Sequence, residues 1–377
     1  MKKVYLDNAS TTPIDSSVIE AMTVSMKANY GNPSSSHQFG RKAKNMVENA
    51  RKNIANSFHV SASEIIFTSG GTEADNLILS NAVTNLGVER VISSKIEHHA
   101  VTHMISFLQE KYNIEVEYVN LTSSGTISLD HLENLLKSSD TKTLVSLMFV
   151  NNEIGNILEI DKVCDLCQKY NALFHSDTVQ AIGHYPINLK ELPIDFIAAS
   201  AHKFHGPKGV GFAYFKKGIG IQPLFHGGNQ EKGARSSTEN VHGIVGMDKA
   251  LSLALETLEK DKLSMNSVKK YFISRLKDLN PNIRFNGNSD DLEHSSCTIL
   301  NVLFPTIDGM LMFNLDLHGI AVSGGSACQS GSLGGSHVLN EILNEENQKF
   351  TSIRFSFSRF TTKSEIDYTI EKLKKLF

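Results

Sequence analysis

The sequence predicts an α/β protein: a large domain built on a mostly parallel central sheet, joined to a smaller α+β domain. Three observations predict it. The chain has 377 residues, more than the roughly 250 to 300 at which a single hydrophobic core stops growing. Between residues 65 and 215, short apolar β-prone runs alternate with helix-like stretches, the pattern of strands covered on both faces by helices. Beyond residue 240 the alternation gives way to a long helical stretch and then to mixed β-prone and helical segments. The boundaries expected are 13–254 for the large domain, with 1–12 and 255–377 forming the small one.

The bulk numbers exclude several classes of function. Hydrophobic residues make up 40% and charged residues 20% of the chain, ordinary for a globular protein with a sizeable core. The net charge is -3 and no Lys/Arg block stands out, so the basic footprint that phosphate backbones demand is missing and direct nucleic-acid binding is disfavoured. The start, Met1-Lys2-Lys3-Val4-Tyr5-Leu6-Asp7, has too short an apolar run for a signal peptide. The longest apolar stretches, such as 144–150, have strand length and do not span a membrane. A cytoplasmic protein without membrane contact is expected. Four cysteines in this length make no disulfide framework.

The β-prone runs are Ile65-Ile66-Phe67, Val91-Ile92, Val116-Glu117-Tyr118-Val119, 144–150, Ala172-Leu173-Phe174, Phe196-Ile197-Ala198 and Gly211-Phe212-Ala213-Tyr214-Phe215. In such sheets ligands bind just outside the carboxyl ends of strands, so chemistry should follow each run. Residues 246–279, with Leu251, Leu255, Leu258 and Met265 on one helical face, read as a linking helix. Next come β-prone runs at 297–304 and 353–357 and an amphipathic helix over 363–377. Residues 323–336 are rich in Gly and Ser and read as a mobile loop.

Three segments place reactive groups after strands. In Thr68-Ser69-Gly70-Gly71-Thr72-Glu73-Ala74-Asp75-Asn76 an apolar strand enters a Gly pair and a Thr suited to capping a helix; such an N-terminus offers N–H groups and a positive dipole end to a phosphate. His175-Ser176-Asp177-Thr178-Val179-Gln180 puts a carboxylate at a strand end, and Ser200-Ala201-His202-Lys203-Phe204-His205-Gly206-Pro207 sets a lysine between two imidazoles before a turn. Taken singly, each is an ordinary turn, cap or surface cation. Taken together, they meet the needs of a pyridoxal-phosphate enzyme: an amine for the aldehyde (Lys203), a carboxylate opposite the ring nitrogen (Asp177), and a phosphate cup from Gly71, Thr72, Ser200 and His202.

Tyr5-Leu6-Asp7-Asn8-Ala9-Ser10-Thr11-Thr12-Pro13, Glu97-His98-His99-Ala100-Val101, Val150-Asn151-Asn152-Glu153-Ile154-Gly155 and Ser200-Ala201-His202-Lys203 follow one another as in the NifS/IscS-like cysteine desulfurases, class V aminotransferase relatives. The chain resembles that family from Val4 to Thr362. The resemblance implies the aspartate-aminotransferase-like fold type I of pyridoxal-phosphate-dependent transferases, with pyridoxal 5'-phosphate as cofactor and no metal. It implies that His98 stacks on the cofactor ring and helps move protons, that Asn152 and Gln180 bond near the ring's phenolic oxygen and the substrate, and that Arg354 holds the substrate carboxylate. A planar guanidinium suits that last role independently, because it binds carboxylate bidentately and stays charged.

Within the family the discriminating residue is Cys328, in Val322-Ser323-Gly324-Gly325-Ser326-Ala327-Cys328-Gln329-Ser330-Gly331. Its small, polar surroundings do not suit a buried core thiol. The resemblance implies that Cys328 takes sulfur from L-cysteine as a persulfide, with L-alanine released, and passes it to an acceptor, either an iron–sulfur scaffold or a tRNA-thiolation enzyme. Another class V enzyme, a transaminase or selenocysteine lyase, would share Lys203 and Asp177 without needing Cys328; a catalytically quiet sulfur-relay scaffold is the alternative from another class. Residues 227–240 resemble the loop that reaches a neighbouring subunit's phosphate, which implies a homodimer with Thr238 crossing over. Asn229 and Ser237 stand there where the family usually has Gly, and Ser accepts left-handed backbone poorly. Cys164 and Cys167 lie on the apolar stripe of an amphipathic helix and read as core.

Overall fold

The computed structural model describes residues 2–306, 309–324 and 335–376. Among the described residues the strands form three sheets. The largest has seven strands: β2 (Ile65–Thr68), β3 (Arg90–Ser93), β4 (Glu115–Tyr118), β5 (Thr143–Ser146), β6 (Leu173–Asp177), β7 (Phe196–Ser200) and β8 (Gly211–Phe215), in the order β2-β8-β7-β6-β5-β3-β4. Only β8 runs antiparallel to its neighbours. Ile65, Val91, Leu144, Phe174, Ile197 and Phe212 are all essentially buried, which is why these strands are continuous apolar runs rather than alternating ones.

Among the described residues, seven helices accompany this sheet: α1 (Ser16–Ala28), α2 (Gln38–Ser57), α3 (Gly71–Thr84), α4 (His99–Tyr112), α5 (Leu129–Lys137), α6 (Ile160–Lys169) and α7 (Val241–Glu256), after which α8 (Leu258–Leu279) leads to the smaller sheet. α2, α6 and α7 pack into one apolar cluster with Phe67, Val145, Phe174 and Ile197; α3 and α4 pack into another with Ile66, Val91, Leu144 and Ala198. Adjacent strand residues thus serve opposite faces, and the sheet is the middle layer. Cys164 and Cys167 are 1% and 2% exposed on α6, and burial pushes the Cys164 thiol up to about 12, so they fill core as expected.

The single linking helix expected over 246–279 is two helices. α7 ends at Glu256 and α8 starts at Leu258, with Thr257 at φ -108°, ψ 8° between them. Thr257 Oγ1 donates to Leu253 O at 3.0 Å and to Asp261 Oδ2 at 2.6 Å; a threonine hydroxyl bonding back four residues bends a helix. Apolar periodicity carries straight through such a break, which is why the sequence hides it.

The smaller sheet pairs β9 (Arg284–Phe285), β10 (Ile299–Phe304) and β12 (Thr351–Ser356), antiparallel and in the order β12-β10-β9. β1 (Val4–Tyr5) pairs in parallel with β11 (Ile320–Ala321). Val4, Leu6, Phe272, Leu300, Phe355, Ile366 and Leu373 share one apolar cluster with this sheet, to which α8, α9 (Leu311–Leu317) and α11 (Lys363–Leu373) contribute; α10 (His337–Ile342) instead packs Val338 and Leu339 with Ile96 and Ile154. The N-terminal strand therefore packs with residues some 300 positions away, and Asp7 bridges to Ser356. No helix among the described residues is long and apolar enough to cross a membrane.

Candidate active site

Gly71, Thr72, His98, Asn152, Asp177, Gln180, Ser200, His202, Lys203 and Arg354 line one cavity with about 760 Å³ of open space. Each sits where a strand of the large sheet ends or a helix begins, apart from Arg354, which is on β12. β5 ends at Ser146, short of the expected 144–150 run; Phe149 N still donates to Asp177 O of β6 at 2.9 Å, but Val150 bridges to Ile157, and Met148 and Asn152 line the cavity.

α3 presents its N-terminus here. Gly70, at φ 156°, is the N-cap, and Thr72 lies inside the first turn; the expectation that Thr72 caps the helix is corrected. The sharp turn at Gly70 lets the helix begin two residues earlier. A β-carbon on Gly71 would come within 2.6 Å of Val179 Cγ2, so this glycine is required by close packing. With first-turn N–H groups lacking intrahelical partners, the end of α3 is built for an anion.

Asp177 closes β6, is 5% exposed and accepts from Val179 N at 2.8 Å through Oδ1. Burial raises its pKa above the usual carboxylate range, with the positive charge of Lys203 opposing the rise. Lys203 Nζ donates to Ala9 O at 2.6 Å and Ser10 O at 3.0 Å. Gln180 Nε2 donates to the same Ala9 carbonyl at 2.9 Å. Thr12 holds the backbone around Lys203 by donating to His202 O at 2.9 Å and accepting from His205 N at 2.8 Å.

His98 is the N-cap of α4: its Nδ1 accepts from Ala100 N at 3.1 Å. Burial lowers its pKa to about 4, helped by the Lys203 charge. A neutral ring that accepts at Nδ1 carries its proton on Nε2. Arg354 is 1% exposed; its Nη1 donates to Asn152 O at 2.6 Å, and its Nη2 donates to Ser10 Oγ at 2.7 Å and Asp7 Oδ1 at 3.1 Å. The guanidinium is fixed before any ligand arrives, while its buried Nε has no hydrogen-bond partner.

One predicted residue among those described is not in this cavity. Thr238 lines a separate depression with Phe67, Arg235 and Asn240, where a residue reaching a second subunit would stand apart from its own chain's site. Ser237 beside it has φ 124°, so the unease about a serine at that position is realised as backbone strain; Asn229, at φ -87°, is unstrained. Cys328 lies outside the described residues. Its flanks are pinned: Arg354 N donates to Ser323 O at 2.7 Å, and Ser336 Oγ donates to Glu153 Oε2 at 2.5 Å.

The sequence reading missed Asp75, which also lines the cavity. The available signal was an acid on the α3 stripe of Ala74, Leu77 and Ile78, all buried, where a carboxylate is out of place unless it has a task. It also missed the backbone of Ala9 and Ser10, since carbonyl acceptors leave no mark in a sequence.

The aminotransferase class-V family description matches residues 4–369, and the chain belongs to that family. A cysteine desulfurase IscS of Dictyoglomus turgidum is 41% identical over 379 residues, covering 100% of this chain and 94% of the relative. A putative cysteine desulfurase IscS 1 of Bacillus subtilis is 41% identical over 370 residues, covering 97% and 96%. Among solved structures, a NifS-like protein superposes with TM-score 0.90 at 37% identity over 100% of this chain and 99% of its own. SspA in complex with cysteine gives TM-score 0.81 at 29% identity, covering 96% and 100%. The fold is thus the type I architecture of pyridoxal-phosphate enzymes.

The cavity fits that cofactor on its own evidence. Asn152 Oδ1 and His202 Nδ1 are buried in its walls with no hydrogen-bond partner, a cost that a polar ligand removes. The buried Asp177 has its pKa raised by burial, a cost that a protonated ring nitrogen would offset, and the N-terminus of α3, with Gly71 and Thr72 in the cavity wall, suits a phosphate. Pyridoxal 5'-phosphate is the cofactor of this family.

Proposed function

We infer that this chain is a pyridoxal-phosphate-dependent cysteine desulfurase that converts L-cysteine and the Cys328 thiol into L-alanine and a Cys328 persulfide. The observation that carries the reading is the meeting of Lys203, Asp177, His98 and Arg354 around one cavity, with Arg354 N bonded to Ser323 O on one flank of the Cys328 segment. The relatives named cysteine desulfurase, and the similar protein solved with cysteine, support it.

When bound, pyridoxal phosphate supplies an aldehyde that condenses with amines and a ring that withdraws electrons from the substrate's Cα. Lys203 is the amine that anchors it, and it takes and returns the proton at Cα. The first turn of α3, Ser200 and His202 hold the phosphate. Asp177 faces the ring nitrogen and favours its protonated form. Arg354, steadied by Asp7, Ser10 and Asn152, binds the substrate carboxylate, while Asn152 and Gln180 orient the substrate. His98 offers a hydrogen bond from Nε2; because loss of that proton alone would leave an imidazolate, it moves a proton only by taking one at Nδ1, at the expense of the α4 cap, as Nε2 releases one. Cys328 attacks the substrate sulfur: a new S–S bond forms as the Cβ–S bond breaks, the bonding pair stays on the carbon skeleton, and a proton completes the alanine methyl.

The protein works as a homodimer in which Thr238 completes the partner's phosphate site; the position of Thr238 outside its own cavity supports this. An acceptor protein, an iron–sulfur scaffold or a tRNA-thiolation enzyme, takes the sulfur from Cys328. A persulfide carrier suits a reducing compartment, which places the protein in the cytoplasm. A single turnover with sulfur-labelled L-cysteine, followed by mapping of the label, tests the reading. Label on Cys328 with matching alanine is expected. Alanine formed at the parental rate by a Cys328→Ser variant would overturn the desulfurase assignment in favour of another class V activity.

A further inference from the structure

Beneath the cavity lies a buried pair that the chemistry above does not use. Asp75, on α3, is 1% exposed, and His175, on β6, is 0% exposed. His175 and Asp177 are two apart on one strand and share a face, which α3 covers; Asp75 is one turn below Gly71 on the helix side that lines the cavity. Asp75 Oδ1 and His175 Nε2 stand 3.3 Å apart, yet neither atom has a well-formed hydrogen bond. On the far side of the ring, Nδ1 is 2.9 Å from Ser146 Oγ, the residue opposite His175 on β5.

We propose that Asp75 and His175 hold one shared proton under the cofactor, so that Asp75 is a positioning residue that keeps Asp177 as the ionised carboxylate facing the ring nitrogen. The inference rests on the cofactor reading above. Two buried carboxylates so close cannot both carry charge without a large cost. The charged and titratable groups around the pair are Asp177 from β6, Glu97 from the turn before α4, and Lys203 and His98 across the cavity. Glu97 is itself buried and pushed up to about 8 by that burial, and as an acid it only adds to the penalty of ionising Asp75. Burial, then the charges of Asp177 and Glu97, raises the Asp75 pKa well above the carboxylate range, whereas burial drops His175 to about 3. The proton therefore rests on the Asp75 side, donated to Nε2, while Nδ1–H donates to Ser146 Oγ. The pair is electrically neutral, and Asp177 keeps its charge.

Removing either partner has a distinguishable consequence. In Asp75→Asn the amide replaces a neutral acid, and the pH midpoint of the bound cofactor's visible absorption should stay where it is. In His175→Phe the neutral acid loses its acceptor and ionises at lower pH than in the parent; a second negative charge then stabilises the protonated chromophore and raises the midpoint by about one pH unit. Adding Asp75→Asn to His175→Phe should remove that rise, a rescue that a merely structural defect would not give. The proposal falls if Asp75→Asn alone lowers the midpoint by a unit or more, if His175→Phe leaves it unmoved, or if the double variant keeps the rise. Should the phenylalanine variant not fold, nitrogen NMR of histidine-labelled parent protein decides: a neutral His175 ring, unchanged over roughly pH 6 to 9, is expected, and one that titrates there overturns the proposal. A parent chain that takes up no pyridoxal phosphate would sink the cofactor reading but leave this ring-nitrogen measurement standing.

Discussion

Arg354 shows how much of this site is set by one side chain held from several directions. Its Nη atoms are committed to Asn152, Ser10 and Asp7, so substrate binding spends little on ordering it. Arg354→Lys keeps the charge and loses the planar fork. The KM for L-cysteine should rise on the order of tenfold or more while cofactor absorption stays intact; an unchanged KM would remove Arg354 from substrate binding. Ser237 is a different case. At φ 124° it sits where glycine is favoured, at a cost of order 1 kcal/mol or more. Ser237→Gly should shift the urea midpoint upward by about that free energy, and a variant no more stable than the parent would show that the loop's partners hold the strain without penalty. Lys203, Asp177 and His98, which line the cavity, stand in motifs that the sequence displays, and Arg354 was expected there from the family resemblance. Asp75 was not, since one acid within a helix looks like surface until the sheet beneath is known.

At the scale of elements, α3 does the most for the cofactor, and it does so through backbone. Gly71→Ala would drive a methyl against Val179, and overpacking of this kind typically costs about 1–3 kcal/mol. Pyridoxal phosphate should then bind at least about tenfold more weakly with little change in helix content by circular dichroism; undiminished affinity would mean that the α3 turn does not hold the phosphate. The strands of the large sheet were legible because two-sided burial writes an uninterrupted apolar run. The α7–α8 break was illegible because the leucine stripe passes through Thr257 unchanged and the bend is made by one hydroxyl. The early end of β5 was hidden for a related reason: Leu147, Phe149 and Val150 are buried in the large apolar cluster and Met148 at the cavity, so the run stays apolar beyond the strand.

For the whole molecule, the titration of buried histidines sets the acid limit. Burial holds His98, His99, His184 and His202 at about 4 and His175 at about 3, and it also lowers His205. The unfolded chain takes these protons near pH 6.5, so between the two values it binds more protons than the folded protein, and stability is lost as the pH falls from about 6.5 toward 4. Asp75, Glu97, Asp177 and Asp248 are raised by burial and act in the opposite sense, but six histidines outnumber four carboxylates. Urea midpoints measured across that range should decline on acidification; a flat or rising profile would show that the carboxylates dominate.

The segment from Asp7 to Thr12 lies between Arg354 on one side and Lys203 on the other. During synthesis, those early residues leave the ribosome hundreds of codons before residue 354, and until then half of their partners do not exist. A nascent chain can assemble the large sheet while still being translated, but it cannot finish the substrate pocket. Ribosome-bound intermediates are therefore barred from premature chemistry on free amino acids.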